Sequence, residues 1–380
     1  MSLVYIDDEY LTEIADQVRR LSGTGVKYTP SAMIEQLNEV LSSKEWERSS
    51  DWPDYDSYCQ RCGEDVLYLT CAPTSDNSTV TFTMTTTDSG TYLVEIGSVN
   101  ENGFTLTGGS TSVASGSAFS EDLGTDSTYV VIRITATTGN LCNLYFSTST
   151  NTIDTSPVIE IWGRAEGMTG KAYQFANSSL ISIDIICPKA FSTAQSILHN
   201  AKSLEYANVR NWDMSAVTTL FRFAFNCAAL QTLNVSGWDI GNVTTLYQFC
   251  REASNITSID TSSWTNATKV TSLKEAFYKC TSLTYLDLSS IDASTVTDVS
   301  SIFYGCSSLS DFYPPSNIMI SLDISASPNL TEDSINRIVA ALYDYSNTTE
   351  TYTLTIGSTN LAKMTDDEIA VATAKGWTIA

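Results

Sequence analysis

Apolar residues recur along this chain with three periods, and the changes of period mark its regions. Over residues 1–45 they fall at Leu11, Ile14, Ala15, Val18 and Leu21, then at Met33, Ile34, Leu37, Val40 and Leu41. Both sets follow the spacing of one helix face, so the pattern predicts two short amphipathic helices. Asp7 and Asp8 stand at the favourable end of the first helix dipole, and Ser22-Gly23-Thr24-Gly25 stops it. Thr29 and Pro30 suit the cap and first turn of the second helix. Neither helix buries its apolar face alone, which leads us to expect an α-helical hairpin that packs on another chain or a larger assembly.

From residue 46 to 155 the period is two. Val66–Leu69, Thr79–Met84, Tyr92–Ile96, Phe104–Leu106, Tyr129–Ile134 and Leu144–Phe146 read as short strands. Asp88-Ser89-Gly90 and Asn102-Gly103 read as turns between them. The expectation is an all-β sandwich acting as a spacer domain. The Gly/Ser-rich run from Gly108 to Gly124 predicts an exposed loop.

From residue 156 to 325 the chain repeats itself. Segments starting at Val217, Val243, Val270 and Val296 lie 26, 27 and 26 residues apart. Their columns hold Leu220, Leu246, Leu273 and Val299, then Leu230, Ile256, Leu283 and Leu309, then Leu233, Ile259, Leu286 and Phe312. Cys227, Ala253, Cys280 and Cys306 make a further column, and Trp238, Trp264 and Ile291 another; both read as core. Earlier starts at Phe191 and near Gly167 bring the number of rungs to about six. A period of 20–29 residues with L-x-x-L-x-L spacing predicts a C-terminal α/β leucine-rich-repeat solenoid. The x residues of each short strand face outward: Tyr206 and Asn208, Thr232 and Asn234, Ser258 and Asp260, Tyr285 and Asp287. These eight are the candidate ligand face. Residues 326–380 read as a cap, with a helix starting in Pro328–Asp333, a strand at Tyr352–Ile356 and a helix from Met364 to Lys375 that Thr365 caps and Gly376 stops.

Two resemblances add to this reading. Residues 1–45 resemble an N-terminal module of tailed-bacteriophage structural proteins, carried by Leu11, Ile14, Ala15, Val18, Arg19, Tyr28, Thr29, Pro30 and Met33. The resemblance implies a virion-anchoring module, in which Leu11, Ile14, Val18, Tyr28, Pro30 and Met33 face other virion proteins. The repeats resemble the BspA-like leucine-rich repeats of bacterial surface proteins, through Trp238-Asp239, Val270-Thr271-Ser272-Leu273 and Phe277-Tyr278-Lys279-Cys280-Thr281-Ser282-Leu283. That likeness implies an adhesive or recognition surface. Together they lead us to expect a phage virion appendage, a tail fibre or receptor-binding protein, assembled in the host cytoplasm. Its repeats would bind a host surface protein or glycan, and analogy with other appendages implies a homo-oligomer. A capsid decoration or head fibre, and a bacterial surface adhesin, stand as alternatives.

Charge and chemistry narrow the field. Against 43 acidic residues stand 20 basic ones, a net charge of -23 that repels phosphate backbones and argues against nucleic-acid binding. No apolar run reaches the ~18 residues of a membrane span, so no membrane insertion is expected. The first residues lack the basic start and apolar core of a secretory signal. There is one histidine, His199, and no G-x-S-x-G elbow or P-loop. Cys59 and Cys62 form a lone C-x-x-C with only Cys71 near, short of the four ligands of a zinc site. The reading is non-enzymatic, with no catalytic residue, cofactor or metal assigned. A carboxylate pair for glycan hydrolysis is invisible to sequence spacing.

Overall fold

A computed structural model of the chain describes residues 65–380 apart from 101–102, 126–128, 147–154 and 171–173. These residues belong to one compact unit, Asp54–Ala380. The expected helical hairpin over 1–45, with its anchor candidates Leu11, Ile14, Val18, Tyr28, Pro30 and Met33, lies outside the described residues, as do Cys59 and Cys62.

The period-two segment forms β1 (Val66–Cys71), β2 (Thr79–Thr86), β3 (Thr91–Asn100), β4 (Gly103–Ala114), β5 (Ala118–Asp122), β6 (Val130–Ala136) and β7 (Leu141–Tyr145). β2 shows why: Val80, Phe82 and Met84 alternate inward and share a core cluster with Leu67, Leu69, Tyr92, Val94, Ile132 and Ile134. β5, β2 and β7 make a three-stranded antiparallel sheet. The run from Gly108 to Gly124 is not a loop. It carries the second half of β4, paired with β3, and all of β5, paired with β2. Backbone pairing makes these strands, while their small side chains stay largely exposed.

The larger sheet does not close into a separate sandwich. β8 (Val158–Arg164) pairs antiparallel with β1, and β9 (Ser182–Ile186), β10 (Tyr206–Asn208) and β11 (Thr232–Asn234) follow in parallel. The result is one eight-stranded sheet in the order β11-β10-β9-β8-β1-β6-β3-β4. The first repeats thus extend the β-region's own sheet. β12 (Ser258–Asp260), β13 (Tyr285–Asp287) and β14 (Asp311–Tyr313) form a second parallel sheet.

The expected fold class is therefore corrected: the repeats are not an α/β leucine-rich-repeat solenoid. Their sheet is divided in two, and their return segments contain no α-helix. The reason lies in the backbone. Arg222, Gln248, Glu275 and Ser301 have positive φ, and so do Asn226, Glu252, Lys279 and Gly305 four residues later. A left-handed residue every fourth position cannot belong to a right-handed helix. The amides turn instead to the next rung. Leu220, Arg222, Ala224 and Asn226 donate to the carbonyls of Thr245, Tyr247, Phe249 and Arg251, and Leu246, Gln248, Cys250 and Glu252 do likewise one rung on. Each rung is a three-residue strand and a chain of turns, hydrogen-bonded to its neighbour on both sides.

Side chains lock the rungs from within. Phe223, Phe249, Phe277 and Phe303 pack in file, with ring centroids 5.5, 6.5 and 6.4 Å apart. The indoles of Trp212, Trp238 and Trp264 donate to Ile185 O, Val209 O and Val235 O of the preceding rung at 2.8, 2.9 and 2.7 Å. The thiols of Cys227, Cys280 and Cys306 donate to Leu198 O, Cys250 O and Phe277 O at 3.0, 3.2 and 3.0 Å. Burial pushes the Cys227 and Cys306 thiols up to about 12, which keeps them protonated and unreactive.

The C-terminal residues hold β15 (Leu322–Asp323), β16 (Tyr352–Thr355) and β17 (Trp377–Ile379) in a parallel sheet, with the only α-helices among the described residues. These are α1 (Glu332–Ala341), α2 (Ser358–Leu361) and α3 (Asp366–Ala374). Thr331 caps α1, and Thr365 with Glu368 makes a capping box on α3. The Lys375 ammonium donates to Val339 O, Ala340 O and Leu342 O at 2.9, 2.9 and 3.0 Å, closing the carbonyl end of α1.

Candidate recognition surface

The strand face places its eight candidates in two columns. Tyr206, Thr232 and Ser258 are exposed and Tyr285 is half-buried. Asn208 and Asp287 are buried, and Asn234 and Asp260 are half-buried. This second column is engaged in holding the chain. Asn234, Asp260 and Asp287 accept from the amides of Ser236, Ser262 and Ser289 at 3.2, 2.9 and 2.8 Å. They cap the turn that follows each strand. Asn208 donates to Asp184 at 3.1 Å.

The return face has another character. Between the two left-handed residues of each rung lie three positions: the first two are buried, and the third is at least partly exposed at every rung except the first, where His199 is buried. In the second rung of the series, Phe223 and Ala224 are buried while Phe225 is half-buried. The third positions are His199, Phe225, Arg251, Tyr278 and Tyr304. They form one ladder along the stack. The His199 ring lies 4.7 Å from Phe225. The Arg251 guanidinium sits 5.8 Å from the Phe225 ring and 4.1 Å from that of Tyr278. Tyr278 and Tyr304 stack at 4.8 Å and 14°.

A second, shorter ladder runs beside the first. Phe221 and Tyr247 stack at 5.1 Å, and the Lys274 ammonium lies 5.5 Å above Tyr247. Polar groups bridge the two. Arg222 Nε donates to Gln248 Oε1 at 2.6 Å, and Gln248 Nε2 to Glu275 Oε2 at 2.7 Å. Glu275 also pairs with Arg251. Arg222 stands 4.9 and 5.0 Å from the rings of Phe221 and Phe225. Each long side chain is thus held by neighbours from adjacent rungs, so little freedom remains to be lost when a ligand arrives.

His199 closes one end of this ladder. Burial, aided by the Arg222 charge, holds its imidazole down at about 4, so it is neutral at ordinary pH. Tyr304 closes the other end and is 56% exposed. The column is hard to find in the sequence because it holds four residue types over five rungs, His, Phe, Arg and then Tyr twice. The signal is positional: His199, Phe225, Arg251, Tyr278 and Tyr304 each follow by eight residues the repeat starts at Phe191, Val217, Val243, Val270 and Val296. All five side chains carry a planar group.

Among the described residues, no group of three or more His, Cys, Asp or Glu is placed to hold a metal ion. Nor is any helix there long and apolar enough to cross a membrane. Cys71, the third cysteine near the C-x-x-C pair in sequence, is buried in β1.

The face belongs to the class of repeat surfaces that present side chains in file on a rigid stack. In sequence, residues 192–313 match the family described as "Mycoplasma protein of unknown function, DUF285". The match covers the rungs that carry the ladder and less than half of the chain. No curated protein and no solved structure matches the chain.

Proposed function

We propose that this chain is a non-enzymatic recognition protein, a phage virion appendage that binds the bacterial host surface through its repeats. The observation that carries the reading is the return-face ladder from His199 to Tyr304. Five rungs hold planar side chains in file, tied across rungs by cation–π contacts and by the Arg222–Gln248–Glu275 network. A fixed, chemically varied surface of this kind suits binding a partner better than turning over a substrate. The likeness of residues 1–45 to phage structural modules supports placement on a particle, with contacts to other virion proteins through those residues.

Antibody against the repeats, applied to purified particles and imaged, tests the placement. Label at the tail tip is the expected result. Label on the capsid moves the role to head decoration, and unlabelled particles contradict a virion protein altogether. The second reading, a bacterial surface adhesin, has one observation in its favour: the matching family is described as a Mycoplasma protein. It predicts label on the cells that make the protein and none on particles.

A further inference from the structure

We propose that the C-terminal end of the return face is an open docking edge, which takes one further rung from a partner protein: a neutral, turn-rich segment that offers backbone carbonyls in file. Such docking does not depend on the host-recognition role proposed above.

The edge is a row of backbone donors. At four consecutive junctions, amides at the same four positions of one rung bond to the rung that follows. Ala194, Ser196, Leu198 and Asn200 donate to Thr219 O, Phe221 O, Phe223 O and Phe225 O. The last such junction has Leu273, Glu275, Phe277 and Lys279 donating to Asp298 O, Ser300 O, Ile302 O and Tyr304 O. Four columns of five peptide groups thus run head to tail along the stack with their dipoles aligned. The matching amides of the final rung are those of Val299, Ser301, Phe303 and Gly305, and none has an acceptor among the described residues. Ser301 and Tyr304 are exposed there, and Val299 and Gly305 are half-buried. At the other end, Phe175 N donates to Ile197 O, so the carbonyl end of that column is closed. After β14 the chain passes through Ile318 and Ile320 into β15 and the cap, and adds no return segment of its own.

An apolar hollow lies beside the row. Phe303 ends the file that begins with Phe223, Phe249 and Phe277. The hollow is lined only by apolar residues, among them Val299, Ile302, Phe303, Ile318, Ile320 and Leu322. At the inner junctions the incoming rung brings both four carbonyls and a phenylalanine for the file. At the final rung both places are unfilled.

The pattern of donors selects the occupant. A β-strand edge shows N–H and C=O in alternation, so half of its groups would set amide against amide. A second copy meeting this one end to end would oppose donors to donors throughout. A polyanion is repelled at long range by a chain carrying -23. A segment folded like a rung shows only carbonyls on the side that meets the preceding rung, carries an apolar ring for the hollow and brings no net charge.

The test uses the full chain and a synthetic peptide of residues 242–256. This peptide holds one Arg and one Glu, and in the stack its Thr245, Tyr247, Phe249 and Arg251 carbonyls accept from the preceding rung. A peptide of residues 79–86, the sequence of strand β2, is the comparator. Fluorescence anisotropy gives the affinities, and hydrogen exchange over residues 299–305 locates the binding. We expect fast exchange there in the free chain, slowed by the rung peptide, and binding of the β2 peptide at least tenfold weaker. Ser301→Asp sets a competing carboxylate beside the free amides, at a left-handed position that aspartate tolerates. It should weaken the rung peptide at least tenfold, whereas Ser258→Asp on the strand face should leave binding unchanged, with thermal melting confirming that both variants fold. Slow exchange in the free chain would mean that the edge is already covered and would overturn the proposal. Failure of the rung peptide to bind, equal binding of the β2 peptide, or binding that Ser301→Asp leaves intact would overturn it as well.

Discussion

The two long faces of the repeat stack share the same rungs and the same period, yet they are built in opposite ways. On the strand face, Asn234, Asp260 and Asp287 perform one task at three consecutive rungs, each accepting from the amide two residues on. On the return face, the outward column changes from Phe225 to Arg251 and then to Tyr278 and Tyr304. A column that closes a turn needs the same acceptor at each step. A column that faces a ligand needs fixed positions and varied chemistry. Regularity along a stack therefore marks scaffold, and variety at constant geometry marks the surface free to recognise.

The severest way to break the comparison is to remove what both faces stand on. Phe249→Ala empties a fully buried ring from the file between Phe223 and Phe277. It should cost about 3–5 kcal/mol in chemical denaturation and weaken both faces together. Asp287→Ala strikes the strand face alone. It strips the charged acceptor, itself buried, from Ser289 N and Oγ, at 2.8 and 2.6 Å, and so removes the tie that closes the turn. We expect a loss of about 1–3 kcal/mol by the same measurement, with recognition retained by the protein that remains folded.

Lys279→Gly sharpens the comparison in the other direction. Lys279 holds a left-handed backbone at φ 57°, while the next rung places Gly305 at the matching position. Relief of that strain should raise stability by about 1 kcal/mol. A fall instead would mean that the lysine stem packs more firmly than its exposure implies.

The smallest effect is one of pH. The His199 imidazole is held at about 4 in the fold, against its ordinary value of 6.5. The unfolded chain thus takes up a proton between those values that the folded chain refuses. Stability from this group is complete above pH 6.5 and is lost as pH falls toward 4. The melting temperature should drop by a few degrees across that window. His199→Phe should flatten the drop, and an unchanged slope would show that other groups govern it.

Much of the scaffold was legible in the sequence, because stacking forces inward residues to recur. Leu230, Ile256, Leu283 and Leu309 stand in register and are all fully buried. The start of α3 at Thr365 was also legible, since capping is a local affair. The return segments were not. Arg222, Gln248, Glu275 and Lys279 carry no left-handed preference of their own. Their conformation comes from amides that bond to the next rung, some 25 residues away. The pairing of Leu69 with Ile161, which joins the β-region to the repeats, is equally non-local. The ladder stayed hidden for a related reason. Its members share a position and a planar shape, whereas pattern reading looks for shared hydrophobicity.

The central claim is that recognition lives on the return face and not on the strand face. The most direct measurement is binding of the labelled full chain to bacterial envelopes that it recognises, compared with Tyr304→Ala on the return face and Ser258→Lys on the strand face. The account predicts at least a tenfold loss for Tyr304→Ala and none for Ser258→Lys. The reverse order would place recognition on the strand columns and reduce the ladder to a structural stack.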